Sequence, residues 1–201
     1  MPSFYQLKSR FQTMLRPIVR VLAAHGVTAN QVTIAAVVLS FVAGGLIAWQ
    51  PDARWPLLLA PFVLLVRMAL NAIDGMLARE HGQRSKLGAV LNELGDVVAD
   101  AVLYLPLALV SGISGPLIVG VVVLATIGEM AGVVAIQIGA SRQYQGPMGK
   151  SDRAFWLGSL SFILGMGAAP GDWIGWLLGV MLVLSVVTIF NRAKSALKEG
   201  G

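Results

Sequence analysis

Apolar residues fill six long stretches of the chain, and short polar segments containing Gly and Pro separate them. Each stretch is about long enough to cross the hydrocarbon core of a bilayer as a helix. The stretches lie near residues 30–50, 55–80, 87–110, 115–140, 153–169 and 172–191. This pattern predicts an all-α, polytopic membrane protein with six transmembrane helices.

The segment before these stretches has a different pattern, with apolar and basic residues on opposite sides of a helix. The apolar face comprises Phe4, Leu7, Phe11, Leu15, Ile18 and Leu22. The other side carries Arg10, Arg16 and Arg20, with Lys8 near the boundary. Such a helix lies on an anionic membrane surface, although the same pattern is typical of a helix packed on protein. We therefore expect an interfacial helix over residues 1–25, a transmembrane catalytic domain over 26–195 and a cytoplasmic tail over 196–201.

Composition agrees with membrane residence, because only 12% of the 201 residues are charged and 56% are hydrophobic. Soluble domains carry about a quarter charged residues. Cysteine is absent and there are two histidines, which excludes disulfides, thiolate sites and a histidine-built metal cage. The net charge of +5 comes from basic residues that flank apolar spans. We expect these residues to meet lipid phosphates, with no nucleic acid as a partner.

The basic residues also predict an orientation. If the amino terminus is cytoplasmic and the spans alternate, nearly all Lys and Arg residues outside the spans fall on the inner side, and Arg54 falls outside. Cytoplasmic loops of membrane proteins carry this excess of positive charge. We expect a multi-pass protein of a bacterial-type inner (plasma) membrane, with both termini in the cytoplasm.

Several polar residues lie inside the second and third stretches, where they are costly and usually functional. Asn71 and Asp74 share one face of the second helix, and four-residue spacing places Asn92, Asp96 and Asp100 on one face of the third. Both sets lie near the inner ends of antiparallel helices, so we expect the faces to meet. Carboxylate and amide oxygens suit a hard divalent cation such as Mg²⁺.

Other readings of these groups stay open. Glu129 and Arg67, each alone on its helix at that level, are equally explained as polar contacts that hold helices together. The intramembrane carboxylates would also suit an ion-coupled transporter. Transporters often show inverted repeats and broken helices, and we find neither in the sequence.

The run from Asn71 to Asp96 resembles the signature of the CDP-alcohol phosphotransferase (CDP-alcohol phosphatidyltransferase) family. That signature is D-x2-D-G-x2-A-R-x8-G-x3-D-x3-D, and the spacing matches throughout. The matching positions are Asp74, Gly75, Ala78, Arg79, Gly88 and Asp96, whereas Asn71 and Asn92 stand where the family has its first and third aspartates.

The resemblance implies an enzyme that transfers a phosphatidyl group from a CDP-alcohol, usually CDP-diacylglycerol, to an acceptor hydroxyl and releases CMP, with Mg²⁺ or Mn²⁺ as cofactor. It implies Asp96 as the base that takes the acceptor proton. The implied metal ligands are Asn71, Asp74, Asn92 and Asp96, supplemented by Glu93 and Asp100. The implied nucleotide-binding residues are Gly75, Ala78, Arg79 and Gly88. A homodimer is also typical of the family.

The two asparagines remove two negative charges from the implied metal site. A single-metal site, altered ligation and a catalytically silent, lipid- or nucleotide-binding relative are therefore open alternatives.

Two further segments add candidates. Asn30 and Thr33 lie in a stretch similar to the family's P-N-x-x-T motif and would face the cytidine, although helix capping explains Asn30 as well. Arg142, Lys150 and Arg153 surround the fifth helix start and would hold the acceptor, with a phosphorylated acceptor favoured. They are equally explained as residues that meet lipid headgroups.

Overall fold

The structure is a computed structural model that describes the backbone of residues 4–201 and the side chains from Phe11 onward. Side chains of the proposed interfacial helix before Phe11, namely Phe4, Leu7, Lys8 and Arg10, lie outside the described residues, as do residues 1–3. The described part of the chain is helical. Its α-helices are α1 (Phe4–Ala24), α2 (Ala29–Trp49), α3 (Arg54–Glu80), α4 (Lys86–Tyr104), α5 (Gly115–Val134), α6 (Lys150–Gly165) and α7 (Asp172–Gly200).

Short 3₁₀ turns extend two of these helices. Leu105–Leu109 follows α4 and Ala135–Ile138 follows α5. The second turn ends at Gly139, whose φ of 84° is left-handed. Gly26, the second residue after α1, has a φ of 73°. Glycine adopts these angles without a Cβ penalty, so both positions end a helical segment.

Two compact units make up the chain, and each has its own packing. The first contains the chain up to Val42 together with Val63–Ala99, and the second contains Ala43–Phe62 and Asp100–Gly201. In the first unit, Leu15 and Val19 of α1 are buried with Ala29, Val32, Ile73, Met76 and Leu77. Part of the apolar face of α1 therefore packs on protein, while Ile18 remains exposed.

In the second unit, α5 packs along α7. The loop that follows α5 also lies close to this helix, because small residues permit close approach of backbones. A Cβ at Gly132 of α5 would lie 2.5 Å from the carbonyl oxygen of Gln143. The backbone N–H of Gln143 also donates to the Gly132 carbonyl across 3.1 Å. The loop between α5 and α6 is thereby held against α5.

Four of the described helices are long and apolar enough to cross a membrane: α2, α3, α5 with its 3₁₀ extension, and α7. The chain is thus an all-helical membrane protein. The predicted third and fifth stretches do form helices, but α4 carries Glu93, Asp96 and Asp100, and α6 has 16 residues. Length and hydropathy support four spans, so the fold class is confirmed and the number of six remains a prediction.

Candidate active site

Asp74 of α3 is buried in the first unit and is held by α2. The Oγ1 of Thr33 donates a hydrogen bond to Oδ2 of Asp74 across 2.8 Å. Thr33 is itself buried, and its Oγ1 lies 3.1 Å from the carbonyl oxygen of Ala29 in the preceding turn. The sequence places Thr33 at the cytidine and Asp74 at the metal, and the structure joins their side chains.

Helices α3 and α4 meet at Asp96. The Nδ2 of Asn71 donates to Oδ1 of Asp96 across 3.4 Å. The Nη2 of Arg67, one turn earlier on α3, donates to the backbone carbonyl of Asp96 across 3.4 Å. Arg67 is buried, whereas Asn71 and Asp96 are half-buried. The spacing argument that brings polar faces of these helices together agrees with these contacts.

The nucleotide-binding candidates of the first unit form two close pairs. A Cβ at Gly88 would lie 2.8 Å from Oδ1 of Asn30. A Cβ at Gly75 would lie 3.0 Å from Nη2 of Arg79, whose side chain turns back over the preceding turn. Both glycines therefore make space for a polar side chain. Ala78 is half-buried beside the apolar cluster of this unit.

Gln83 is a positioning residue that sequence reasoning missed. Its Oε1 accepts from the backbone N–H of Ala29 across 2.7 Å, and its Nε2 donates to the Val27 carbonyl across 3.3 Å. The loop after α3 is thereby tied to the start of α2, where Asn30 lies. A single glutamine in a short polar loop gives no periodic signal, so the sequence could not identify it.

The remaining acidic candidates differ in their surroundings. Asn92 and Glu93 are half-buried on α4. Asp100 belongs to the second unit, where its Oδ2 lies 2.9 Å from Nη2 of Arg153. The described residues contain no group of three or more His, Asp or Glu side chains arranged to hold a metal. Two positions of the family motif, Asn71 and Asn92, carry amides in place of carboxylates.

A second polar cluster lies inside the second unit, and we call it the arginine cluster. It comprises Asp100, Glu129, Arg142, Arg153 and Arg192. Oε1 of Glu129 lies 3.2 Å from Arg153, and Oε2 lies 3.1 Å from Arg142 and 3.3 Å from Arg192. Two of the acceptor candidates, Arg142 and Arg153, are thus joined by one carboxylate.

Arg192 is a member of this cluster that the sequence analysis did not select as a candidate. Its Nη1 donates to the Gly128 carbonyl across 2.6 Å, and its Nε donates to the Gln145 carbonyl across 3.3 Å. Arg192 lies near the carboxyl end of the last apolar stretch, where it is indistinguishable from an ordinary positive-inside residue. Lys150, the third acceptor candidate, is half-buried at the start of α6.

The motif carboxylates Asp74 and Asp96 thus lie on α3 and α4, and the two helices are in contact through Asn71 and Asp96. The family model of CDP-alcohol phosphatidyltransferases matches residues 26–190. The chain therefore belongs to the CDP-alcohol phosphatidyltransferase family, which is a transferase class in phospholipid biosynthesis.

Two curated proteins resemble the chain in sequence. It is 41% identical over 197 residues to the inner membrane protein YnbA of Escherichia coli strain K12, covering 97% of this chain and 96% of that protein. It is 32% identical over 104 residues to the archaetidylinositol phosphate synthase of Pyrococcus horikoshii, a match that covers 52% of this chain and 53% of the relative.

Solved structures share the fold. The phosphatidylinositol phosphate synthase PgsA1 of Mycobacterium tuberculosis, solved with CDP-DAG bound, superposes with a TM-score of 0.75 at 21% identity. The match covers 92% of this chain and 94% of that one. The same protein has also been solved in complex with manganese and citrate.

The donor chemistry of the first unit fits a hard divalent cation. Asp74 and Asp96 supply carboxylate oxygens, and Asn71 and Asn92 supply amide oxygens, which are the ligand types that Mg²⁺ and Mn²⁺ take. The motif thus offers two carboxylates where the family has four.

Proposed function

We propose that the protein transfers a phosphatidyl group from CDP-diacylglycerol to the hydroxyl of an alcohol acceptor and releases CMP. The observation that carries this proposal is the joining of α2, α3 and α4 through two motif carboxylates. Thr33 holds Asp74 at 2.8 Å, and Asn71 contacts Asp96 at 3.4 Å. Family membership and the CDP-DAG bound to a protein of the same fold support the choice of donor.

In this reaction the acceptor oxygen forms a bond to the β-phosphorus of the CDP-alcohol, and the bond between that phosphorus and the CMP oxygen breaks. Asp96 takes the acceptor proton. Its carboxylate is oriented by the amide of Asn71 and its backbone by Arg67. A Mg²⁺ or Mn²⁺ held by the motif oxygens would supply positive charge to the diphosphate and the leaving group.

The remaining residues of the first unit bind the donor. Asp74, Asn71, Asn92, Asp96 and Glu93 hold the cation. Asp100, the remaining candidate ligand, belongs to the second unit and is paired with Arg153. Asn30, Thr33, Gly75, Ala78, Arg79 and Gly88 form the nucleotide end. Because Arg79 lies over Gly75 and Asn30 lies beside Gly88, the cytidine and diphosphate meet polar groups at both glycines. Arg142, Lys150 and Arg153 hold the acceptor.

The membrane arrangement belongs to the same proposal. All six helices from α2 to α7 cross a bacterial-type inner membrane, α1 lies at its cytoplasmic surface, and both termini and the active site face the cytoplasm. The inward bias of Lys and Arg supports this orientation. A homodimer is proposed as the assembly. Exposed apolar side chains such as Phe62 and Phe190 provide surface for lipid or for a second copy.

A catalytically silent, CDP-lipid-binding relative is the second candidate, because Asn71 and Asn92 replace two acidic positions of the family motif. The two candidates differ in turnover but not in donor binding. An ion-coupled transporter has no support from the family match.

The decisive experiment measures CMP release by the purified full-length protein with CDP-diacylglycerol, Mg²⁺ or Mn²⁺ and a panel of acceptor alcohols. We expect Asp74→Ala and Asp96→Asn to abolish release. Asp52→Asn, a loop carboxylate that accepts from the Ser111 N–H, is the matched control and keeps activity. Release that survives both motif substitutions would place the site elsewhere. Donor binding without release by the wild type would establish the silent relative.

A further inference from the structure

The arginine cluster is already filled by one of the chain's own carboxylates. Both oxygens of Glu129 are engaged, Oε1 by Arg153 and Oε2 by Arg142 and Arg192. The side chains of Arg153 and Arg192 are 3% and 2% exposed, and that of Glu129 is 12% exposed. This is a buried ion-pair network and not a set of surface charges.

Three guanidinium groups that converge on one point form a strong site for a phosphate, because each presents N–H donors in a planar fork. In this chain that point is occupied by the Glu129 carboxylate. The Nη2 of Arg153 also donates to Oδ2 of Asp100 across 2.9 Å, and Arg192 donates to the Gly128 and Gln145 carbonyls. The Nη2 of Arg142, the Nη2 of Arg153 and the Nε and Nη1 of Arg192 therefore already bind protein groups.

Displacement of Glu129 by an incoming phosphate is unfavourable. Glu129 is a residue within α5. Moving its side chain away from the arginines would leave a buried carboxylate without its cations, which is strongly destabilising. If Glu129 stays in place, the phosphate meets a like charge. Among the five side chains of the cluster, three cations face two carboxylates, so the excess charge does not match a phosphate dianion.

We infer that Glu129 is a specificity-determining residue that restricts the acceptor to alcohols without a phosphate group. The inference rests on the proposed function and on the assignment of Arg142 and Arg153 to the acceptor. It reverses the acceptor class favoured by the sequence, where the basic residues are visible but their pairing with Glu129 is not. The acceptor class is then a polyol or an amino alcohol that bonds to the cluster without displacing its internal carboxylate.

The first test compares matched acceptors in the CMP-release assay with wild type and Glu129→Gln. The pairs are glycerol against sn-glycerol 3-phosphate and myo-inositol against inositol 1-phosphate. We expect the wild type to prefer the unphosphorylated member of a pair by about tenfold or more in kcat/KM. Glu129→Gln keeps the side-chain shape and removes the charge, so the ratio should move toward the phosphorylated member by about tenfold.

The control is Asp172→Asn, which removes one negative charge from the same helix as Arg192. Twenty residues separate the two positions, or about 30 Å along the helix. This variant should keep the wild-type acceptor ratio. A wild type that prefers phosphorylated acceptors, or a Glu129→Gln protein with an unchanged ratio, would overturn the inference.

A second test needs no turnover. The thermal midpoint of each protein is measured with and without millimolar inorganic phosphate, at constant ionic strength set by chloride. We expect phosphate to stabilise Glu129→Gln and to leave the wild type and Asp172→Asn unchanged. Equal stabilisation of wild type and Glu129→Gln would contradict the inference. Should the variant not fold, the wild-type acceptor preference and phosphate response decide the question alone.

The two tests separate the inference from the function on which it rests. If no acceptor releases CMP, the proposed transfer fails. The phosphate response still shows whether Glu129 excludes an anion from the arginine cluster. If CMP is released and the phosphorylated acceptors are preferred, the transfer stands and the role of Glu129 falls.

Discussion

Thr33 and Asp74, 41 positions apart in the chain, share a hydrogen bond of 2.8 Å between two buried side chains. The hydroxyl donates to a carboxylate, and such charge-assisted bonds are short and orienting. We therefore expect Thr33 to orient Asp74 at the proposed cation site, in addition to its proposed place at the nucleotide end.

Replacing Thr33 by Val tests this role, because it keeps the branched shape and removes the hydroxyl. We expect the apparent affinity for Mn²⁺ or the kcat of CMP release to fall by roughly 10- to 100-fold, the usual effect of losing a group that orients a metal ligand. Ser40→Ala is the matched control, since Oγ of Ser40 bonds to the Ala36 carbonyl of its own helix. Equal losses in both variants would mean that Thr33 acts through helix stability alone.

Asn71 provides a second prediction, because its amide contacts the Asp96 carboxylate at 3.4 Å. Asn71→Asp would bring two carboxylates together. Without a cation they repel, and with a divalent cation they share it. We expect a lower thermal midpoint in chelator and a roughly tenfold rise in Mn²⁺ affinity, as added carboxylate charge tightens hard-cation sites.

Calorimetric titration with Mn²⁺ and thermal unfolding in chelator measure both effects without turnover. Asn191→Asp, at an exposed position of α7, controls for the added charge. Weaker Mn²⁺ binding in Asn71→Asp than in the wild type would show that the carboxylates of α3 and α4 do not share a cation.

The spacing of polar residues predicted the contact between α3 and α4 in the candidate active site, but it did not predict the arginine cluster. Helical periodicity alone brings Asn71 of α3 toward Asp96 of α4, because both lie near the ends of consecutive antiparallel helices. The pairing of Glu129 with three arginines could not be predicted, since those arginines come from a loop and two helices far apart in sequence. It depends on tertiary packing and on side-chain rotamers, which leave no periodic pattern.

The apolar pattern likewise does not reveal what α1 packs against or how many helices cross the membrane. An apolar helical face packs equally well on lipid or on protein, because membrane helices have no hydrophobic driving force between them. Leu15 and Val19 therefore gave no sign that they pack within the first unit. Carboxylates lower the hydropathy of α4 wherever they point, so hydropathy alone does not decide whether that helix crosses the bilayer.

Gly44 and Gly45 are adjacent in α2, but the space around them differs. We therefore expect their replacement by alanine to have opposite effects on stability. A Cβ at Gly44 would overlap the backbone carbonyl of Val102, which cannot move away as a flexible side chain could. A Cβ at Gly45 meets nothing within 4 Å. We expect Gly44→Ala to destabilise the protein by about 1–3 kcal/mol, the usual cost of overpacking.

Gly45→Ala is the matched control in the same helix. It should be neutral or stabilising by up to about 1 kcal/mol through helix propensity. Thermal unfolding in one detergent compares the two variants. If Gly44→Ala were as stable as Gly45→Ala, the close approach of α2 to Val102 would be refuted.

The six-span arrangement depends on α4 and α6, the two helices that hydropathy does not support as spans. Because the natural chain has no cysteine, labelling of a single introduced cysteine shows on which side of the membrane that position lies, without labelling elsewhere in the chain. Exposed positions lie near the two ends of each helix: Arg84 and Ser111 for α4, and Ser151, in the first turn, and Ala168 for α6. A membrane-impermeant maleimide applied to spheroplasts should label Ser111→Cys and Ala168→Cys. Arg84→Cys and Ser151→Cys should react only after lysis, because the positive-inside bias places them in the cytoplasm. Labelling of both cysteines that flank one helix from the same side would show that this helix does not cross.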